Sequence, residues 1–218
     1  PKEEKDSLYT SALRNLIAEH KDNPYSARVT FDLVNYYKKN GGDRWNANQD
    51  DATSSFLRTA HTLANECLKR FPKAIWAKNL RPIIQDIESK DLSATVETLI
   101  SPETPMRAEI NVRNIDETYI HVIPIPDAYF HATMWRMGDP EMDTVEDLKS
   151  RDILRTVKKQ VRNTEDFRWH DKEVLLEGLP IGHYALVISE KSSLKSSKYV
   201  HVTNFHVNTM ALIHRSAK

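Results

Sequence analysis

Histidines are the side chains of this 218-residue chain with the most potential for metal chemistry, and there are nine of them. His201 and His206 are five residues apart in a segment patterned like a β-strand, so we expect them on opposite faces, where they cannot chelate jointly. His170 and His183 could approach across two strands, with Asp171 nearby. Because no closely spaced set of His, Cys and carboxylate residues is present, the sequence predicts neither a metal site nor a cofactor.

Catalytic motifs are also missing. The sequence contains no G-x-S-x-G, no G-x-G-x-x-G and no G-K-[ST], and its five glycines leave little for a nucleophile elbow. Carboxylates in MDTVED, residues 142–147, could hydrolyse a glycoside only as a pair facing a cleft, and a solvated helix face accounts for them better. The single cysteine, Cys67, lies in an apolar helical pattern typical of a buried residue. We therefore predict no catalytic residues. A hydrolase with a Ser-His-Asp triad is the third of three alternatives for the function of the chain.

Three tryptophans, Trp45, Trp135 and Trp169, lie in or beside expected loops and are the candidate interaction residues. An exposed tryptophan is a typical binding anchor. Packing between the two halves of the chain would instead bury these rings. The sequence favours packing and leaves open a carbohydrate- or peptide-binding surface in which Trp135 and Trp169 act as stacking platforms.

The charge balance argues against a general nucleic-acid binder. Lys and Arg number 31, and so do Asp and Glu, whereas such a binder carries a basic excess. Hydrophobic residues make up 39% of the chain, which is enough for a packed core. No stretch has the apolar length of a membrane span.

Helical periodicity governs residues 7–89. Four amphipathic segments are separated by short turns, which predicts an antiparallel helical bundle over residues 1–91. Pro82 lies inside the fourth segment and predicts a kink or a break there. The junction ECLKRFPKAIWA, residues 66–77, is similar to the turn of tetratricopeptide-type helical pairs, although no clean repeat is present.

From about residue 92 the period changes to two. SATVETLIS, residues 93–101, reads as one strand, and MRAEINVRN, residues 106–114, places alternate apolar side chains on one face. Further short strands separated by Pro, Gly, Asn and Ser turns predict an antiparallel Greek-key β-sandwich over residues 92–218. The whole chain is thus expected to be α+β, with two segregated parts.

Residues 127–172 are long for a sandwich loop, so we interpret them as an insertion. An N-cap-like Asp and an acidic first turn predict a short helix in DPEMDTVEDLKS, residues 139–150. The segment 151–162 fits a helix or a strand, and we favour a strand.

The stretch LEGLPIGHYALVIS, residues 176–189, has the order of residues found at a tyrosine corner. In Greek-key proteins a Tyr shortly after such a turn bonds a backbone group upstream and fixes the arch between two sheets. Here Pro180 would fix φ, Gly182 would allow a positive φ, and Tyr184 would supply the hydroxyl. An ordinary hairpin with a core tyrosine is the alternative.

Three stretches resemble one family. SATVETLISPETPMRAEINVRNIDETYIHVIPI, residues 93–125, is similar to the opening of the first macroglobulin-type sandwich of bacterial alpha-2-macroglobulin-like proteins, especially the large Bacteroidetes forms. FRWHDKEVLLEGLPIGHYALVIS, residues 167–189, resembles later strands of that domain, and YVHVTNFHV with MALI, within residues 199–213, resembles its closing strands. The helical part resembles the lead-in of such proteins.

The resemblance implies a non-enzymatic structural or interaction module of a larger cell-envelope protein, in the periplasm or at the cell surface. Its partners would be other domains of the same chain, and other envelope proteins or proteases. Relatives that trap proteases use a thioester formed in a C-G-E-Q type motif. This sequence has no such motif, and Cys67 lies in ANECLKR, so trapping chemistry would lie outside this chain.

Overall fold

The computed structural model describes residues 2–42, 55–126, 141–161 and 165–209. It confirms the α+β class, with helices in the N-terminal part followed by a β-sandwich built mostly from antiparallel strands. The chain divides into two compact units. The helical unit comprises Pro1–Ser89 and Thr164–Trp169, and the sandwich unit comprises Lys90–Asn163 and His170–Lys218.

The N-terminal part of the helical unit contains five described helices, where the sequence predicts four. They are α1 (Lys2–Glu19), α2 (Ser26–Asn40), α3 (Phe56–Arg70), α4 (Ile75–Lys78) and α5 (Leu80–Glu88). α1 packs on α2, α2 on α3, and α3 on α5. No described helix is long and apolar enough to cross a membrane.

The predicted fourth helix is divided at Asn79, three residues before Pro82. The break is therefore present, but Pro82 occupies the third position of α5. An amide in the first turn of a helix has no intrahelical partner, so a proline there costs no hydrogen bond. The proline is compatible with the start of α5 and would not be compatible with one continuous helix.

The helical core is formed by the stripes that the 3.6-residue period defines. Cys67 belongs to it and is buried, as predicted. The fully buried members are Ala27, Leu33, Val34, Ala60, Ala64, Ala77, Leu80 and Ile87. Burial of a leucine or isoleucine of this kind contributes about 1.5–3 kcal/mol.

Two sheets form the sandwich unit. The strands are β1 (Asp91–Val96), β2 (Leu99–Ile100), β3 (Met106–Arg113), β4 (Glu117–Ile125), β5 (Arg155–Gln160), β6 (Trp169–Leu176), β7 (Gly182–Ser189) and β8 (Val200–Val207). One sheet has the order β1-β3-β6, and the other has the order β2-β8-β7-β4-β5. A helix, α6 (Glu141–Leu148), and a single 3-10 turn at Leu194–Ser196 complete the described elements.

The predicted strand over residues 93–101 is wrong in one respect, because it is two strands in different sheets. β1 pairs antiparallel with β3, whereas β2 pairs in parallel with β8. Val96 and Ile100 both face the core, and Thr98 between them is exposed. The apolar pattern records which face is buried but not the point at which a strand passes from one sheet to the other.

Between the sheets lies the larger sandwich core. β3 has the predicted alternation, with Met106, Ala108, Ile110 and Val112 buried. β4 is buried along both faces over most of its length, since it lies between β7 and β5 and both sides of its sheet are covered. A central strand of this kind reads as a continuous apolar run.

A second apolar layer covers the outer face of the five-stranded sheet. Ile123 and Ile125 of β4 and Val187 of β7 pack there with Leu148 of α6 and with Leu194. The short helix predicted in residues 139–150 and the strand favoured in residues 151–162 are both present, as α6 and β5. β5 pairs with β4, so this part of the expected insertion is a member of the sheet.

Candidate functional site

The corner before β7 is held by the hydroxyl of Tyr184, which donates to the carbonyl of Pro180 at 3.0 Å. The Tyr184 ring is 5% exposed and stacks on Phe205 of β8, with ring centroids 5.5 Å apart. Burial, and secondarily the charge of Glu103, raises the pKa of the Tyr184 hydroxyl. The hydroxyl therefore stays protonated and available as a donor.

Two glycines beside this corner are required by close contacts. Gly182 was expected to allow a positive φ, but Gly42 is the only described glycine that has one, so the corner does not use that freedom at Gly182. A Cβ on Gly182 would lie 3.3 Å from the Tyr184 ring, and the ring's position over the turn explains the glycine. A Cβ on Gly178 would lie 2.3 Å from the backbone carbon of Glu103. Glu103 is fixed in turn, because its amide donates to the carbonyl of Leu179 at 2.9 Å.

A pair of histidines faces one another at the open end of the β7–β8 hairpin. His183 and His206 are register partners, and their Nδ1 atoms are 2.6 Å apart. The rings are perpendicular, with centroids at 4.8 Å. The partner of His183 is thus on β8, whereas His170, which the sequence left as a residue that could approach it, belongs to the other sheet. Burial, and secondarily the positive charge of His183, lowers the pKa of His206.

A buried histidine in β4 was not singled out from the sequence. His121 is 0% exposed, and its ring bridges Thr156 of β5 at 2.9 Å and Ser189 of β7 at 3.0 Å. The Ser189 hydroxyl donates to the carbonyl of Lys191 at 2.7 Å, so its oxygen accepts from His121 Nε2–H. His121 Nδ1 then accepts from Thr156, which fixes the neutral tautomer. Burial also lowers the pKa of His121.

The Ser189–His121 contact has the composition of a nucleophile–base pair but not its setting. Both residues are 0% exposed, and the serine proton is directed to a backbone carbonyl. A catalytic pair needs a position beside it for a reacting atom. Together with Thr156, this pair instead links three neighbouring strands, β7, β4 and β5, on one face of the sheet.

The carboxylates considered for glycoside hydrolysis lie on α6, and two of them form ion pairs along its surface. Glu146 binds Lys149 at 2.6 Å, and Asp147 binds Arg151 at 2.7 Å. Spacings of three and four residues are those of a solvated helix face. Within the part of the chain that the structure describes, no three His, Cys, Asp or Glu side chains form a group that could hold a metal ion.

A short segment between β5 and β6 belongs to the helical unit. Glu165 and Phe167 have positive φ values of 52° and 61°, a rare backbone conformation for a bulky residue such as Phe. The Phe167 ring lies against the ring of His61 of α3, with centroids 4.7 Å apart and the ring planes tilted by 37°. Arg58 of the same helix donates to the carbonyl of Glu165 at 3.1 Å. Such strain persists only where surrounding contacts hold it.

Arg168 is the most deeply buried charged side chain of this segment, at 2% exposure. Its guanidinium donates to the carbonyl of Gly41, which caps the C-terminal end of α2. Terminal carbonyls of a helix lack partners and carry partial negative charge, so a buried cation is stabilised there. Asp166 supports the turn by accepting from the Arg168 amide at 3.0 Å. The sequence offered only a basic residue between two aromatics, which does not reveal a role at a helix end 127 residues away.

The candidate tryptophans are not brought together by the described structure. Trp45 and Trp135 lie outside the described residues. Trp169 is half-buried and is the first residue of β6. It therefore lies beside a loop, as expected, and not within one.

Comparison with protein-family models finds no match for the chain, and none is found among curated proteins. Solved structures provide distant similarities. A CARDB domain from Pyrococcus furiosus, crystallised with two metal ions, matches at 8% identity and a TM-score of 0.32, over 55% of this chain and 92% of that one. Native alpha-2-macroglobulin from Escherichia coli, in a fragment spanning domains MG0-NIE-MG1, matches at 12% identity and a TM-score of 0.38. That match covers 58% of this chain and 42% of the fragment. With scores this low, neither similarity establishes a family or an activity.

Proposed function

We propose that this chain is a non-enzymatic structural module of a larger alpha-2-macroglobulin-like protein of the cell envelope. In this role it holds or spaces neighbouring domains and docks them to other envelope proteins. The observation that carries the proposal is the segment Thr164–Trp169, which leaves the sandwich to join the helical unit. The motif resemblances in residues 93–125 and 167–189 support the choice of family.

The connectivity suits a spacer. The chain passes between its two units after Ser89, after Asn163 and after Trp169, so three covalent connections join them. Two units on a single linker move independently by default. The proposal expects three covalent connections to leave the two units less independent than a single linker would.

The polar groups of the described residues support a scaffold over an enzyme. Tyr184 closes a turn, His121 ties three strands, and Arg168 caps a helix. Each of these side chains is buried among its partners, whereas catalytic groups converge on an accessible cleft.

Cell fractionation tests this proposal. An antibody raised against this 25.2 kDa chain is used to probe envelope and cytosolic fractions of the source cells. The proposal expects a band far larger than 25.2 kDa in the envelope fraction, in the periplasm or at the cell surface. A free cytosolic protein of about the chain's own mass would overturn it.

The second candidate function is a carbohydrate- or peptide-binding surface module. Trp169 is half-buried at the start of β6, and this partial exposure is the observation that favours the second candidate. Affinity electrophoresis through polysaccharide gels separates the two functions. The scaffold role expects equal mobility for wild type and Trp169→Ala, whereas retardation that is lost in Trp169→Ala would establish the binding role.

A further inference from the structure

We propose that His183 and His206 form a two-ligand site for a square-planar transition-metal ion, Cu²⁺ in preference to Zn²⁺. The proposal is independent of the scaffold role. It depends on the convergence of two imidazole nitrogens across the β7–β8 pair. Imidazole is a favoured ligand of copper, nickel and zinc.

The two strands, rather than flexible loops, set the position of the site. Gly182 pairs with Val207 and His183 with His206, so both imidazoles project from the same face at the hairpin's open end. β2 flanks them, since Leu99 is the register partner of His206 and is 40% exposed. Both histidines are half-buried. Rigid strands hold the ligands close to their working geometry.

The two nitrogens are within reach of one ion. With metal–nitrogen bonds of about 2.0 Å, adjacent ligands of a square-planar ion are about 2.8 Å apart, and those of a tetrahedral ion about 3.3 Å. The hydrogen-bonded separation of 2.6 Å is shorter than both, so the rings must move apart to bind an ion, and the movement is smaller for a square-planar one. Copper also forms the strongest divalent complexes of its row. The remaining coordination positions would be filled by water.

A bound metal ion would replace the hydrogen bond between the two imidazole rings. In the neutral pair, one Nδ1–H donates to the other Nδ1, so one ring carries its proton on Nδ1 and the other on Nε2. When both Nδ1 atoms bind the metal, the donor ring shifts to its Nε2–H tautomer. No net proton is released, and the metal replaces the hydrogen bond as the link between β7 and β8.

The test is a titration of the intact chain with CuCl₂, followed by calorimetry and by electron paramagnetic resonance. We expect saturable binding of one Cu²⁺ with two nitrogen ligands, weaker binding of Ni²⁺ and weaker still of Zn²⁺. Gln can keep a hydrogen bond across the strands, so His183→Gln and His206→Gln are the variants, and each is expected to lose the saturable site. His201→Gln, on the same strand but the opposite face, is the matched control and is expected to bind like wild type.

Several outcomes overturn the proposal. Unchanged binding in both His183→Gln and His206→Gln, or an equal loss in His201→Gln, would identify an adventitious ion only. Tighter binding of Zn²⁺ than of Cu²⁺ would reject the square-planar geometry. If a variant fails to fold, imidazole NMR of the wild-type protein decides the matter. Paramagnetic broadening by one equivalent of Cu²⁺ should then affect His183 and His206 before the other histidines, and broadening of another pair first would reject the site.

Discussion

At the scale of single residues, a few buried hydrogen bonds stabilise the fold through side chains whose roles, structural or chemical, the sequence alone did not distinguish. Tyr184, His121 and Arg168 each have an ordinary structural partner in the described part of the chain. The order Pro180, Gly182, Tyr184 pointed to a corner, and the Tyr184 hydroxyl bonds the Pro180 carbonyl. The role of His121 was not visible, because cross-strand partners such as Thr156 and Ser189 depend on register.

The contribution of the Tyr184 hydrogen bond to stability can be measured by removing the hydroxyl oxygen. Tyr184→Phe keeps the ring stacked on Phe205 and leaves the carbonyl of Pro180 without this donor. We expect the free energy of unfolding in urea to fall by about 1 kcal/mol. Tyr119→Phe is the matched control, because the Tyr119 hydroxyl donates to Glu117, which keeps Lys158 as a partner at 2.7 Å, and its effect should stay within about 0.5 kcal/mol. Equal losses in the two variants would show that the corner contributes nothing beyond an average surface bond.

His121 should make stability depend on pH. Its folded pKa lies below the usual 6.5, so the unfolded state binds the proton more readily. Its stabilising contribution is complete above pH 6.5 and is lost as the pH falls from 6.5 through the lowered folded pKa. The ionic groups of β4 and β5 on this face, Glu117 and Lys158, bind each other at 2.7 Å.

Urea titrations of wild type and His121→Gln at several pH values isolate this effect, because the amide of Gln can still bridge Thr156 and Ser189. The stability advantage of wild type over the variant should shrink between pH 7.5 and pH 5. A difference that is constant with pH would exclude His121 as the titrating group.

At the scale of elements, periodicity predicted which faces are buried better than it predicted where elements end. The helical stripes, the β3 alternation, α6 and β5 are present as expected. The break at Asn79 was expected at Pro82, and the break between Val96 and Leu99 was not predicted. The position of each break depends on the neighbouring elements against which the segment packs. A single sequence does not contain that information.

Gly178 tests how closely the turn at Glu103 meets the segment between β6 and β7. The Cβ of Gly178→Ala would lie 2.3 Å from the Glu103 backbone, which cannot move aside like a flexible side chain. We expect a loss of about 1–3 kcal/mol in the free energy of unfolding. Gly182→Ala is the control, since its new methyl would meet the Tyr184 ring at 3.3 Å. It should cost less, and the reverse order would contradict the assigned contacts.

Arg168 tests the link between the segment 165–169 and the helix end. Arg168→Met keeps much of the volume but removes the donor to the Gly41 carbonyl. Hydrogen bonds to charged groups contribute about 1.5–3 kcal/mol, so a loss of that size is expected in urea unfolding followed by helical circular dichroism. Arg58→Met removes the exposed bond to Glu165 and should change stability by less than about 0.5 kcal/mol. A neutral Arg168→Met would mean that the buried guanidinium does not stabilise the C-terminal end of α2.

At the scale of the whole chain, the sequence predicted two parts and their classes, and the structure confirms the α+β class. The return of residues 164–169 to the helical unit was not predicted, because segments distant in sequence meet only through the tertiary fold. Because of this return, the two units are joined by three covalent connections instead of one linker. The scaffold proposal depends on it more than on any single side chain.

Cleavage of the chain between Ser89 and Lys90 tests this claim most directly. A specific protease site is placed there, the folded protein is cut, and the products are passed over a size-exclusion column under native conditions. Because Thr164–Trp169 completes the helical unit, the two pieces should elute together, and Arg168→Met should weaken their association. Separation of the cut wild-type pieces into two folded species would contradict the account.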